Sequence, residues 1–104
     1  MRLIISSRVI GIIDSFYLAS MTLHESLDEN TVMKKKQRLL DSLAFLTIFP
    51  KAYGYARFKR EWVRSGYREF ISEDFHFAYV IRTLESGEKV VMVMDAVHSL
   101  LYHE

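Results

Sequence analysis

The stretch that decides the fold is Tyr67–Val97, YREFISEDFHFAYVIRTLESGEKVVMVMDAV. Branched and aromatic residues dominate it, which is the composition of strands. "YREFIS" (67–72), "FHFAYVIRT" (75–83) and "KVVMVMDAV" (89–97) therefore predict three strands, the last two joined as a hairpin through the turn "ESGE" (85–88). In the middle segment Phe75, Phe77, Tyr79 and Ile81 alternate with His76, Ala78, Val80 and Arg82. Lys89–Val97 is apolar on both faces, as a central strand is.

Upstream the period changes. "AYGYARFKREWVRSG" (52–66) carries two glycines, mixed aromatics and many cations, and reads as a structured loop with a helical turn around Lys59–Arg64. Before it, Val32, Leu39, Leu43 and Leu46, with Leu40 and Phe45 alongside, form one stripe of a helix that Pro50 stops. "SLDE" (26–29) has the spacing of a capping box and predicts the helix start at Ser26. Val9, Ile13, Phe16, Tyr17 and Ser20, flanked by Ile12 and Leu23, predict a first helix over about Ser7–His24. "RLIIS" (2–6) predicts a strand ahead of it. The order strand, helix, helix, strand, strand, strand is that of an α+β domain, a helical hairpin packed on a small, mainly antiparallel sheet.

The chain has 104 residues, half of them apolar, which suits a single domain over 1–104. It has no cysteine, so thiolate ligands, thiol nucleophiles and disulfides are excluded together, in keeping with a reducing compartment; the cytoplasm is the expected location. Arg8 and Asp14 interrupt the apolar N-terminal run, so it reads as part of the folded domain rather than as a leader or a membrane span. The net charge is only +1, yet between Lys51 and Arg68 six cations (Lys51, Arg57, Lys59, Arg60, Arg64 and Arg68) face the single acid Glu61. Tyr53, Tyr55, Trp62 and Tyr67 interleave with them, a pattern suited to phosphate and base contacts, although an aromatic loop covering a sheet has the same composition.

At "FP" (49–50), "GYREF" (66–70), "DFHFAYVI" (74–81) and "HSLLY" (98–102) the sequence resembles the RelE/ParE family of toxins from type II toxin–antitoxin modules, over nearly its whole length. The "HSLLY" ending is similar to that of the YafQ-like branch. The resemblance implies a RelE/ParE-like fold and one of two activities, a metal-independent, ribosome-dependent endonuclease that cuts mRNA and inhibits translation, or inhibition of DNA gyrase. It also implies a cognate antitoxin as partner, with no cofactor.

Carried over residue by residue, Arg68 matches an arginine that stabilises the phosphate, His98 a general acid or base, and Tyr102 an aromatic that stacks on or orients a base. Asp74 and Phe75 match an acidic–aromatic pair of the YafQ-like branch. The sequence departs from the family at Leu100 and Leu101, where many nucleases carry arginine, and at Phe70, where the YafQ-like branch carries histidine. The missing arginines at Leu100 and Leu101 favour the gyrase reading, and a degenerate toxin that only binds its antitoxin is a third alternative.

The chemistry fits the residue types. Cleaving RNA through its 2′-hydroxyl takes a base, an acid and a cation. His98 titrates near working pH, and Arg68 can grip two phosphate oxygens at once. Lys59, Arg60, Arg64 and Arg82 are the further candidates for substrate contacts. Competing structural roles stand beside each: His98 as a hydrogen-bonded strand end, Arg68 paired with Glu69, Glu73 or Asp74, and Tyr102 packed as a plug on the core. No histidine spacing suggests a metal site.

Overall fold

The computed structural model describes residues 1–23 and 28–101. Strand β1 (Arg2–Ile5) leads into helix α1 (Ser7–Leu23), followed by α2 (Glu29–Leu43), a 3-10 turn (Ala44–Thr47) and a short helix α3 (Arg60–Arg64). Three strands complete the chain, β2 (Arg68–Ser72), β3 (Phe75–Thr83) and β4 (Lys89–His98). The expected α+β architecture is present: a helical hairpin lies on a four-stranded sheet of order β1-β4-β3-β2, in which only the β1–β4 pair is parallel.

The helical stripes bury as their spacing requires. Val9, Ile13 and Tyr17 of α1 and Val32, Leu39 and Leu43 of α2 meet Phe70, Phe75, Phe77, Tyr79, Val91 and Val93 in one core. Leu46 is also fully buried, but Phe45 is 58% exposed. The helix tightens to three residues per turn at Ala44, which turns Phe45 off the stripe.

The start of α2 differs from the capping-box expectation. Asp28 is the N-cap, its carboxylate accepting the Thr31 N–H at 2.7 Å, and the helix begins at Glu29. Glu29 thus occupies the first helical position rather than the third, and the expected cap Ser26 lies outside the described residues.

Two turns position the sites. Gly66, at φ +71, ends α3 in the left-handed conformation; its N–H reaches Val63 O and the Tyr67 N–H reaches Trp62 O, the paired bonds of a Schellman motif, which aims the chain into β2. Between β2 and β3, Glu73 (φ 51) and Asp74 (φ 64) both take positive φ, the requirement of a two-residue type I′ hairpin. Neither is glycine, so the turn holds strain at the place where the chain passes the end of β4.

The sheet's second face is covered by the loop after Pro50. Trp62 is fully buried there with Ala56 and Ala78, edged by Phe58, Tyr67 and Val97. The Trp62 Nε1–H donates to Asp95 at 2.9 Å. A bulge shifts the register between Ala78 and Tyr79, so that Ala78 pairs with Asp95 and Tyr79 with Val93, leaving Met94 as the extra residue. Among the described residues no helix is long and apolar enough to cross a membrane.

Candidate functional site

The expected site residues divide into two groups at opposite ends of the sheet. Arg68 opens β2 and pairs with Tyr79, whereas His98 closes β4 and pairs with Phe75, itself opposite Ser72. Four steps along a strand and two strand spacings separate them by on the order of 16 Å. Their side chains line separate clefts.

At the first end, the Arg68 guanidinium donates from Nη1 to Tyr53 O at 2.7 Å and lies 4.5 Å from the centre of the Tyr55 ring. None of the acidic partners considered for it takes part in these contacts; a backbone carbonyl and an aromatic face hold it instead. Lys51, Gly66, Tyr79, Val80 and Ile81 complete a cleft of about 270 Å³. The Tyr79 hydroxyl donates to Pro50 O at 2.7 Å, and its burial, offset in part by Arg68, pushes its pKa up to about 12.

At the second end, a cleft of about 270 Å³ is lined by Phe16, Tyr17, Ser20, Val32, Lys35, Glu73, Asp74, His98 and Leu100. The tight turn brings Asp74 here, where its carbonyl accepts from Ser99 N (2.9 Å) and Ser99 Oγ (2.8 Å). The His98 ring stacks on Phe16, centroids 4.1 Å apart, with Phe75 edge-on at 5.1 Å. Only 7% of His98 is exposed, and its Nδ1 accepts the Leu100 N–H at 3.2 Å, so the neutral ring carries its hydrogen on Nε2. Burial holds its pKa below the ordinary histidine value; Asp74 acts in the opposite direction and His76 adds to the depression. Burial also raises the pKa of the neighbouring Tyr17, helped by Glu73 and opposed by Arg38.

The remaining candidates have other positions. Phe75 is fully buried, because its face of β3 is the one under the helices; it supports the His98 ring and presents no face to a ligand. Lys59 lies 3.8 Å from both Glu61 and Asp95 and near the Trp62 ring, inside the second-face loop. Arg60 and Arg64 are exposed on α3, and Arg82 is exposed near the end of β3. Tyr102 lies outside the described residues.

Lys35 and Glu73 join the second cleft without having been expected there. The lysine run 34–36 reads as a solvated helix face, and nothing in the sequence shows that the turn aligns Glu73 with α2. On the second face His76 makes a further contact, its Nδ1 3.0 Å from Glu69 Oε2 and its ring stacked on Phe58 at 3.7 Å. Glu69 Oε1 accepts the Phe58 N–H, which ties the loop to the sheet.

No protein-family model, no curated protein and no solved structure matches the chain.

Proposed function

We propose that the protein is the toxin of a type II toxin–antitoxin module, of the RelE/ParE type, acting in the cytoplasm as a ribosome-dependent mRNA endonuclease. One observation carries the enzymatic part: Asp74, Glu73, Lys35 and His98, drawn from three separate parts of the chain, line one cleft. The resemblance at "HSLLY" and "DFHFAYVI" and the helical hairpin on a four-stranded sheet support the family assignment.

The roles follow from the groups. The Asp74 carboxylate takes the proton of the 2′-hydroxyl, which attacks the adjacent phosphorus. Lys35 neutralises the charge that develops there. The bond to the 5′-oxygen breaks, and His98 in its imidazolium form supplies the proton to that oxygen, leaving a 2′,3′-cyclic phosphate and a 5′-hydroxyl. Since burial lowers the His98 pKa, the acid form is populated chiefly on the acid side of the ordinary histidine value, and the rate should fall as pH rises through that region.

A second reading, a non-enzymatic gyrase inhibitor, is favoured by the separation of Arg68 from this cleft and by the engagement of its guanidinium with Tyr53 and Tyr55. Primer extension on messages isolated after brief induction without antitoxin separates the two. Breaks confined to translated codons, lost in both His98→Ala and Asp74→Ala, are the expected result. Breaks unchanged in both variants would remove the cleft from the reaction. Intact messages with arrested growth and inhibited supercoiling would favour the gyrase reading.

A further inference from the structure

We infer that Tyr55 and Arg68 form a base-stacking platform for single-stranded RNA, located away from the bond that is cut and selecting substrate at neighbouring nucleotides. The inference rests on the ribonuclease reading for its purpose, but not for its geometry.

Tyr55 is fixed before any ligand arrives. Its segment lies across the start of β2, where Tyr55 bridges Arg68, the Glu69 N–H donates to Gly54 O at 3.1 Å and the Ala56 N–H to Tyr67 O at 2.8 Å. The guanidinium of Arg68, anchored on Tyr53 O, backs the ring at 4.5 Å. Tyr55 is nevertheless 67% exposed, far more than a ring used for packing, so much of its surface remains open to solvent. An aromatic ring held rigid by backbone bonds and backed by a cation suits a nucleobase, because stacking needs a π-face and no particular hydrogen-bond pattern.

The surroundings suit the phosphates. Lys51, which is exposed, lines the same cleft. Gly66, also in the lining, contributes no side chain, and nothing lies within 4 Å of the position a Cβ would take. An acidic peptide would use the cations but would leave the exposed ring without a purpose; a base with its phosphate uses both. The path to the second cleft is also present, since β2 is an edge strand running from Arg68 to Ser72, directly before the Glu73–Asp74 turn. RNA following that edge has its stacked base beyond the reach of the phosphate held at Asp74 and His98.

The test is fluorescence anisotropy with a short labelled oligoadenylate at fixed, low ionic strength, using the full chain. Tyr55→Ala should weaken binding about tenfold, whereas Tyr55→Trp should retain it. Equal affinity of wild type and Tyr55→Ala overturns the platform, as does absence of wild-type binding. Displacement of the oligonucleotide by an acidic peptide whose own affinity depends on Tyr55 to the same degree also overturns it, in favour of a protein ligand. Tyr55-dependent binding with intact cellular messages upholds the platform and removes the nuclease reading instead.

Discussion

An imidazole stacked on Phe16 and edged by Phe75 cannot take up a proton without disturbance, since its Nδ1 accepts the Leu100 N–H. Protonation there ends that bond and places charge among aromatic rings. Burial lowers the folded-state pKa of His98, so in the window below the ordinary value of about 6.5 the unfolded chain binds the proton first. The stability contributed by the neutral ring is therefore complete above that value and is lost as pH falls through the lowered folded pKa. His98→Phe keeps an aromatic ring and removes the titration. Urea unfolding of both proteins at about pH 7.5 and about pH 5 should show the wild type losing stability relative to the variant on acidification. A difference that does not change with pH would mean that the environment of His98 does not govern its protonation. Asp28 has the opposite sense: its bonds from Thr31 hold its carboxyl below the usual range, so its cap persists to more acid pH than an ordinary carboxylate would allow.

At the scale of elements, the β2–β3 turn and α3 carry the features that set this chain apart. Asp74 sits at φ 64, a conformation that glycine adopts freely. Asp74→Gly should leave the melting temperature unchanged or slightly raised while abolishing message cleavage; loss of both would make Asp74 a structural residue alone. Helix α3 is fixed through Asp95. Burial pushes the Asp95 carboxyl up, but hydrogen bonds from Trp62, Ala96 and Arg8 outweigh it and leave the carboxyl below the usual range. Asp95→Ala deprives the buried Trp62 N–H of its acceptor and should cost about 1–3 kcal/mol in chemical denaturation, while Trp62→Phe in the Asp95→Ala background should add less than it does alone. Little of this was legible in the sequence. The strands and helices were, because Val9, Ile13, Leu39, Leu43 and the alternation of Phe75, Phe77 and Tyr79 each repeat with a period that only one structure satisfies. The helical turn at Lys59–Arg64 was legible too. The type I′ turn was not, because Glu-Asp lacks the Asn-Gly or Asp-Gly signature, and a turn two residues long sets where a side chain points without leaving a periodic trace. The same limit hid the partition of the site: Arg68 and His98 are each at a strand end, but which ends lie side by side depends on sheet order, which local pattern does not encode.

The whole molecule has two cores of unequal size, and that inequality has consequences for its dynamics. Both helices and β2, β3 and β4 contribute to the helix-side core, while the second face is closed by Ala56, Trp62 and Ala78 with three partly buried neighbours. The free energy of opening a segment follows the apolar surface it exposes, so the loop over the second face should open without the rest of the molecule unfolding. The bonds that retain it include the Ala56 N–H to Tyr67 O, the Glu69 N–H to Gly54 O, the Phe58 N–H to Glu69 and the Trp62 Nε1–H to Asp95. In native-state hydrogen exchange the amides of Ala56 and Tyr67 should therefore exchange with a lower free energy, and a weaker dependence on denaturant, than amides in the middle of β3 and β4. Asp95→Ala should lower the first group markedly and leave the second close to wild type relative to global unfolding. Because Tyr55 and its bridge to Arg68 belong to the same loop, that variant should weaken oligoadenylate binding in proportion to the fraction of molecules in which the loop is open. If instead the two groups of amides fall together, the second face is part of a single cooperative unit, and the platform is held by the stability of the entire fold rather than by its own anchors.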